Sequence, residues 1–397
     1  MNRIGLCMIA RNEAHVLRRC LDSVLPLLDY ILLVDTGSED GTQSLVREYL
    51  NEKNIPGDVV DEPWQDFAYN RSFALQKLRE NTDVDYSLMI DADQVIVFEP
   101  GFDAPGFKNR LSHDIYDVKL TCGNVAYLSP QLARNRVEIS YRGVLHEFRE
   151  CPPDCTRSIA NGFHIQEIQD GARSRDIGKY KNDATTLEAA LVTETDPFLV
   201  ARYKFYLAQS YRDCGNAERA VQTYMERSKL GFWDEEVFLS FYYAAKLQES
   251  LGSAPNEIIE VYLRAHQACP RRAEALHGAA RLCRNAGQYE RGYLLAKQAI
   301  QIPCPERGLF VENWIYEYGI LDELAVLAYW RGYYRESLDA CVQMLEQSRI
   351  PDDQRERVRQ NAHYALAKLG PVSGSEVPFR SATAAATATR AAASSPD

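Results

Sequence analysis

Two carboxylates one residue apart, Asp91-Ala92-Asp93, follow the short apolar run Leu88-Met89-Ile90. A run of that length fits a buried strand. In an open α/β sheet, ligands bind in the crevice beyond the carboxyl ends of the strands. Hard divalent cations such as Mg²⁺ or Mn²⁺ take oxygen ligands there, one or two carboxylates together with substrate phosphates. The pair therefore points to a metal–diphosphate site, with a solvated turn at a strand end as the plainer reading. Its neighbours favour the site. Ala10-Arg11-Asn12-Glu13 is a polar turn after one apolar run, and Asp35 closes another, Tyr30 to Val34. Asp35 could accept hydrogen bonds from a nucleobase or ribose, or cap the following helix.

The elements that must position these residues alternate. Strands are expected over residues 3–9, 30–35, 59–61 and 86–91. A helix follows the first, with Ala14, Leu17, Leu21, Val24 and Leu25 on one face. Others run through Leu45 to Leu50 and over residues 70–78. Strands alternating with helices through short links predict a mostly parallel sheet, whose edge collects Asn12, Glu13, Asp35 and Asp91. Residues 116–120 and 126–128 should continue it. From about Thr185 the chain turns helical, and small residues recur with aromatics: Leu207, Ala208, Tyr211, Gly215, Ala220 and Tyr224, then Ala279, Ala280, Gly287, Tyr289, Gly292 and Ala296. Two units end at Pro270 and Cys304, one tetratricopeptide period of about 34 residues apart. An insert over residues 305–321, with Trp314, Tyr316 and Tyr318, breaks the spacing; its aromatics read as helix packing. Stacked repeats of this kind offer a concave surface for peptides or subunits. Residues 371–397 are short of large apolar side chains and read as a disordered tail.

Three stretches, Cys7-Met8-Ile9-Ala10-Arg11-Asn12-Glu13, Val34-Asp35-Thr36-Gly37-Ser38-Glu39-Asp40-Gly41-Thr42 and Met89-Ile90-Asp91-Ala92-Asp93, resemble the successive motifs of family-2 glycosyltransferases. Pro63-Trp64-Gln65-Asp66-Phe67-Ala68-Tyr69-Asn70-Arg71 is similar to a Trp-x-x-Phe-x-x-Asn-Arg segment of a branch that often carries tetratricopeptide repeats. The resemblance implies an α/β GT-A nucleotide-sugar-binding domain over residues 1–185, followed by an all-α tetratricopeptide-like helical repeat domain over 186–370. It implies transfer of a sugar, usually with inversion, from a nucleotide-sugar donor, most simply a UDP-sugar. Ala10, Asn12, Glu13, Asp35, Asn70, Arg71 and Asp91 would then lie at the donor. Asp91 and Asp93 would hold Mn²⁺ or Mg²⁺, with His164 completing the shell as a late His does in many GT-A enzymes. Arg71 is either a diphosphate contact or a surface ion pair. The segment Gly143-Val144-Leu145-His146-Glu147 is similar to one in the acceptor half of that branch. It makes Glu147 the candidate base, with His146 orienting it or the acceptor. Arg173, Arg175, Lys179 and Lys181 form a basic stretch, over the diphosphate or in solvent.

The whole chain sets bounds. Its 397 residues allow two or three domains. A net charge of −11 argues against a general nucleic-acid binder. No run is long and apolar enough for a transmembrane segment, and Met1-Asn2-Arg3-Ile4 does not read as a signal peptide. Ten scattered cysteines suit reduced thiols and a cytoplasmic protein; only Cys151 and Cys155 lie close, with no second pair to make a zinc site. The acceptor would be a protein, peptide or glycan, and the repeats could hold a protein partner. One rival is a catalytically inactive transferase-like domain on a repeat scaffold. The other is a sugar nucleotidyltransferase, which would want a Gly-rich, basic first turn where this chain has Ala10 to Glu13.

Overall fold

The computed structural model describes residues 1–123, 125–306, 308–347 and 349–370; the tail expected over 371–397 lies outside them. The chain begins β1 (Ile4–Ala10), α1 (Ala14–Val24), β2 (Tyr30–Asp35), α2 (Thr42–Lys53), β3 (Gly57–Asp61), α3 (Phe67–Arg79) and β4 (Tyr86–Met89). Then come β5 (Gln94–Phe98), α4 (Ala104–Arg110), β6 (Ile115–Cys122), β7 (Val125–Arg134), β8 (Ser140–Arg142), β9 (Phe148–Glu150), β10 (Arg157–Ile159) and β11 (Phe163–Glu167).

The central strands are apolar throughout because both sheet faces are covered. Ile4, Leu6 and Met8 of β1 pack with Leu17, Cys20, Leu21 and Val24 of α1 and with Val46 and Tyr49 of α2. On the opposite face Cys7 packs with Ala74, Leu75 and Leu78 of α3. The main sheet runs β3-β2-β1-β4-β7-β6-β11-β5, with β10 beside β6. Its first four strands are parallel. The other half departs from the expected mostly parallel sheet: β7 is antiparallel to β4 and β6, and β5 to β11. A parallel neighbour needs a crossover of a dozen or more residues, and the turn between β6 and β7 is far shorter. β8 and β9 form a separate antiparallel hairpin.

Ten helices follow among the described residues: α5 (Lys179–Thr193), α6 (Pro197–Asp213), α7 (Ala217–Arg227), α8 (Asp234–Ser250), α9 (Pro255–Ala268), α10 (Glu274–Asn285), α11 (Tyr289–Ala299), α12 (Ile320–Trp330), α13 (Tyr334–Glu346) and α14 (Asp352–Leu369). They pair as helical hairpins. The first helix of each, α6, α8, α10 and α12, ends two residues before a glycine of positive φ: Gly215 (83°), Gly252 (74°), Gly287 (70°) and Gly332 (80°). That left-handed position ends a helix at little cost only for glycine. The insert over residues 305–321 falls between α11 and α12, and its aromatics pack. Trp314 meets His277 edge-on at 5.2 Å, and the Tyr316 hydroxyl accepts the Ala273 N–H at 2.9 Å.

The chain forms two compact units, which divide between Trp233 and Asp234. The first therefore runs past residue 185 and includes α5, α6 and α7. α6 grips the loop between β8 and β9: the Val144 N–H donates to the Tyr203 hydroxyl at 3.2 Å, and Arg202 donates through Nε and Nη2 to the His146 carbonyl at 3.1 and 2.7 Å.

Candidate functional site

Strand register gathers the site. Ala10 stands beside Asp35 across the β1–β2 ladder, and β4 on the other side of β1 ends just before Asp91 and Asp93. In the turn between β4 and β5, the Asp91 N–H donates to Gln94 Oε1 and the Gln94 N–H to the Asp91 carbonyl, both at 3.0 Å. A cleft of about 540 Å³ opens there. Ala10, Asn12, Glu13, Trp64, Arg71, Asp91, Asp93 and the 171–176 segment line it.

Three carboxylates crowd this cleft. Burial, then the charge of Asp91, raises the Asp93 carboxyl above its ordinary pKa. Burial also raises Glu13; the Ala172 N–H, donating to Oε1 at 3.1 Å, partly offsets it, and Asp93 adds to it. That bond ties the 171–176 segment across the cleft. Gly171 presses on Asp93: a Cβ added there would sit 3.0 Å from Oδ2. Asn12, at a φ of 60° that asparagine tolerates, receives Glu39 N–H on its Oδ1 at 2.8 Å and gives its own N–H to Ser38 Oγ at 2.9 Å. It joins the turns after β1 and β2. Asp35 is buried: its Oδ1 accepts the N–H groups of Gly37 and Ser38 at 2.9 and 2.8 Å, and its Oδ2 has no partner.

Arg71, in the first turn of α3, is the hub. Its Nη2 lies 2.7 Å from Asp91 Oδ1, and its Nε lies 2.6 Å from Glu147 Oε1 without pointing its hydrogen there. Burial disfavours its charge, but Asp91 and Glu147 more than compensate and raise its pKa. So Arg71 forms a part-buried pair with two carboxylates, of which Asp91 is 40% exposed and Glu147 14%. Behind it lies a second cavity of about 410 Å³. Arg71 and Asp91 line both; Tyr127, Gln131, Tyr141, Glu147, Arg149 and Glu167 line the second.

Three expected roles need correction. Asn70 is fully buried, and its amide is used up: Oδ1 accepts the Gln65 N–H at 3.0 Å and Nδ2 donates to the Pro63 carbonyl at 3.1 Å. It shapes the turn bearing Trp64 and does not reach into the cleft. His164 pairs with Val97 across β11 and β5 and lines neither cavity. His164 is therefore not among the residues that line the cleft with Asp91 and Asp93. His146 stacks on Tyr206 at 3.8 Å with planes 8° apart. Desolvation of the ring, then the charges of Arg202, Arg173 and Lys179, push its pKa down. It is a neutral clamp on the loop, outside both cavities. Of the basic stretch, Arg173 lines the cleft, 5.0 Å from the Phe67 ring and paired with Asp183 at 2.6 Å.

Sequence reasoning missed Tyr141, Arg149 and Gln131. A signal existed for Arg149: it lies two residues after Glu147, the spacing that places side chains on one face of an extended chain.

Residues 6–99 match the model of the family described as glycosyl transferase family 2. A lipopolysaccharide core biosynthesis glycosyltransferase of Rhizobium meliloti, LpsC, is 33% identical over 87 residues, 22% of this chain and 30% of that one. A TPR repeat-containing protein of Synechococcus elongatus is 30% identical over 151 residues, 37% of this chain and 35% of that one. The chain thus spans about a third of the length of these curated relatives. Among solved structures, S. aureus TarS 1-349 in complex with UDP-GlcNAc aligns at 13% identity and a TM-score of 0.35, over 67% of this chain and 87% of that one. Residues 6–99 are thus similar to glycosyl transferase family 2, and the chain continues into paired helices.

Proposed function

We propose that the protein is a glycosyltransferase that moves a sugar, with inversion, from a nucleotide-sugar, UDP-linked in the simplest case, to a protein, peptide or glycan acceptor. The observation that carries this reading is the pair of cavities that share Arg71 and Asp91. One is lined with carboxylates, and the other contains Glu147. Donor and acceptor would meet across that shared wall. The buried, unpartnered Asp35 Oδ2 would accept a hydrogen bond from the donor's ribose or base.

The donor set fits a divalent cation. Asp93 and Glu13 are held above their ordinary pKa by burial and by neighbouring carboxylates, a strain that added positive charge relieves. Asp91 and Asp93 with a diphosphate would meet the preference of Mn²⁺ or Mg²⁺ for oxygen. When bound, such an ion offsets charge on the departing diphosphate. Arg71 offers its planar fork to the same diphosphate. As Arg71 turns to phosphate, Glu147 is released from it and free to take the acceptor proton. The repeats would recruit the acceptor or a protein partner. No helix among the described residues is long and apolar enough to cross a membrane. The ten cysteines are unpaired, which favours a cytoplasmic setting.

A second reading, an inactive transferase-like domain on a repeat scaffold, draws on the same Arg71, which here is engaged by both Asp91 and Glu147. Incubation with UDP-glucose, UDP-galactose and UDP-N-acetylglucosamine, with and without Mn²⁺, separates the two. Mn²⁺-dependent release of UDP supports the enzyme, binding without release supports the inactive domain, and no binding contradicts both.

A further inference from the structure

The second cavity holds a cation with no ion-pair partner among the described residues. β8 and β9 place Arg149 opposite Tyr141. Its Nε donates to the Tyr141 hydroxyl and its Nη2 to Gln131 Oε1, both at 2.7 Å. Both partners are neutral. The remaining nitrogen, Nη1, is out of reach of solvent and has no hydrogen-bond partner. The carboxylates of this cavity are engaged elsewhere: Asp91 and Glu147 on Arg71, and Glu167 on the Tyr127 hydroxyl at 2.9 Å. Among the described residues none stands within ion-pair distance of Arg149. The Tyr141 ring lies between two guanidinium groups, 5.8 Å from Arg71 and 5.2 Å from Arg149. The two are thus held apart, one serving the shared wall and the other the interior of the cavity.

A desolvated, charged N–H without an acceptor is costly to maintain. Arg149 lines a cavity whose volume lies in the range of small-ligand sites. We infer that Arg149 recognises an anion here. On the glycosyl-transfer reading above, on which this rests, the acceptor carries a carboxylate or phosphate whose oxygen takes the hydrogen bond from Nη1. A hydroxyl would satisfy the N–H and leave the charge unbalanced. An anionic oxygen does both, and charge-assisted hydrogen bonds are about twice as strong as neutral ones. Arg149 is therefore the residue that selects an acidic acceptor over a neutral one.

The full-length protein is titrated by calorimetry with glucuronate, inorganic phosphate and glucose, each alone and then with UDP and Mn²⁺. Glucuronate or phosphate should bind about tenfold or more tightly than glucose, the order expected for a charge-assisted contact. UDP should not displace it, because the two sites are different cavities. Which anion binds better tells a carboxylate-bearing acceptor from a phosphorylated one. Arg149→Leu should abolish the preference and Arg149→Lys should keep part of it. If Arg149→Leu does not fold, Gln131→Glu decides, since a carboxylate on Nη2 neutralises the cation and should remove the preference as well. Equal binding of anions and glucose, no anion binding at millimolar concentration, or displacement by UDP overturns the inference. So does a preference that survives these variants. UDP binding by the wild-type chain is read in the same titrations: its absence counts against glycosyl transfer, while the anion result is judged separately.

Discussion

Arg71 links the two cavities, and its energetics are those of a part-buried ion shared by two partners. Its side chain is 17% exposed and that of Glu147 14%. Removing one partner of such a pair leaves the other as an uncompensated charge. Arg71→Met should therefore destabilise the protein by about 2–3 kcal/mol, somewhat below the cost for a fully buried pair. Adding Glu147→Gln should recover part of the loss; urea midpoints of the single and double variants check this. Asp93 gives a pH dependence. Its carboxyl is held above the ordinary value, so the unfolded chain ionises first as pH rises, and stability falls through the window above the ordinary carboxylate pKa. In EDTA, Asp93→Asn should melt higher than wild type at neutral pH, and the difference should vanish in acid below that window. The positions of Asp35, Asp91 and Asp93 at strand ends were legible because each follows a short apolar run that fits a buried strand. Asn70 was not read correctly, because residue type does not say which way an amide turns, and here the backbone at Pro63 and Gln65 claims it.

The elements divide in the same way. β1 to β4 and their helices were legible from continuous apolar runs separated by amphipathic ones. The antiparallel half was not, since the sequence does not say which edges β6, β7 and β11 pair with. The repeats were legible where small residues recur. The hairpin of α8 and α9 was legible only through its end at Pro270, because aromatics fill its interior: Phe238, Tyr242 and Tyr262 are buried there. Gly278 of α10 is the small residue that admits them, since a Cβ at that position would sit 2.7 Å from the Tyr262 ring. Gly278→Ala gains helix propensity, about 1 kcal/mol, but overpacking costs about 1–3 kcal/mol. The variant should lose about 1 kcal/mol net by chemical denaturation, and Tyr262→Leu should make the same alanine harmless.

At the scale of the whole molecule, the change to helix near residue 185 lies inside the first compact unit, which runs to Trp233. Arg202, Tyr203 and Tyr206 of α6 hold the loop that presents Glu147. A fragment ending at Trp233 should fold and bind UDP like the full chain, whereas one ending at Leu191 should melt lower and lose the order of the 143–147 loop. Circular dichroism melts and UDP titrations of the two fragments test this. The central claim is that the cleft bearing Asp91 and Asp93 binds a nucleotide diphosphate through a divalent cation. Its most direct test is the calorimetric affinity of the full-length protein for UDP, with Mn²⁺ and with EDTA, in the wild type and in Asp93→Ala. The account predicts binding that requires Mn²⁺ in the wild type and is lost in a folded Asp93→Ala. UDP binding of equal strength in EDTA, or retained in full by that variant, would contradict it.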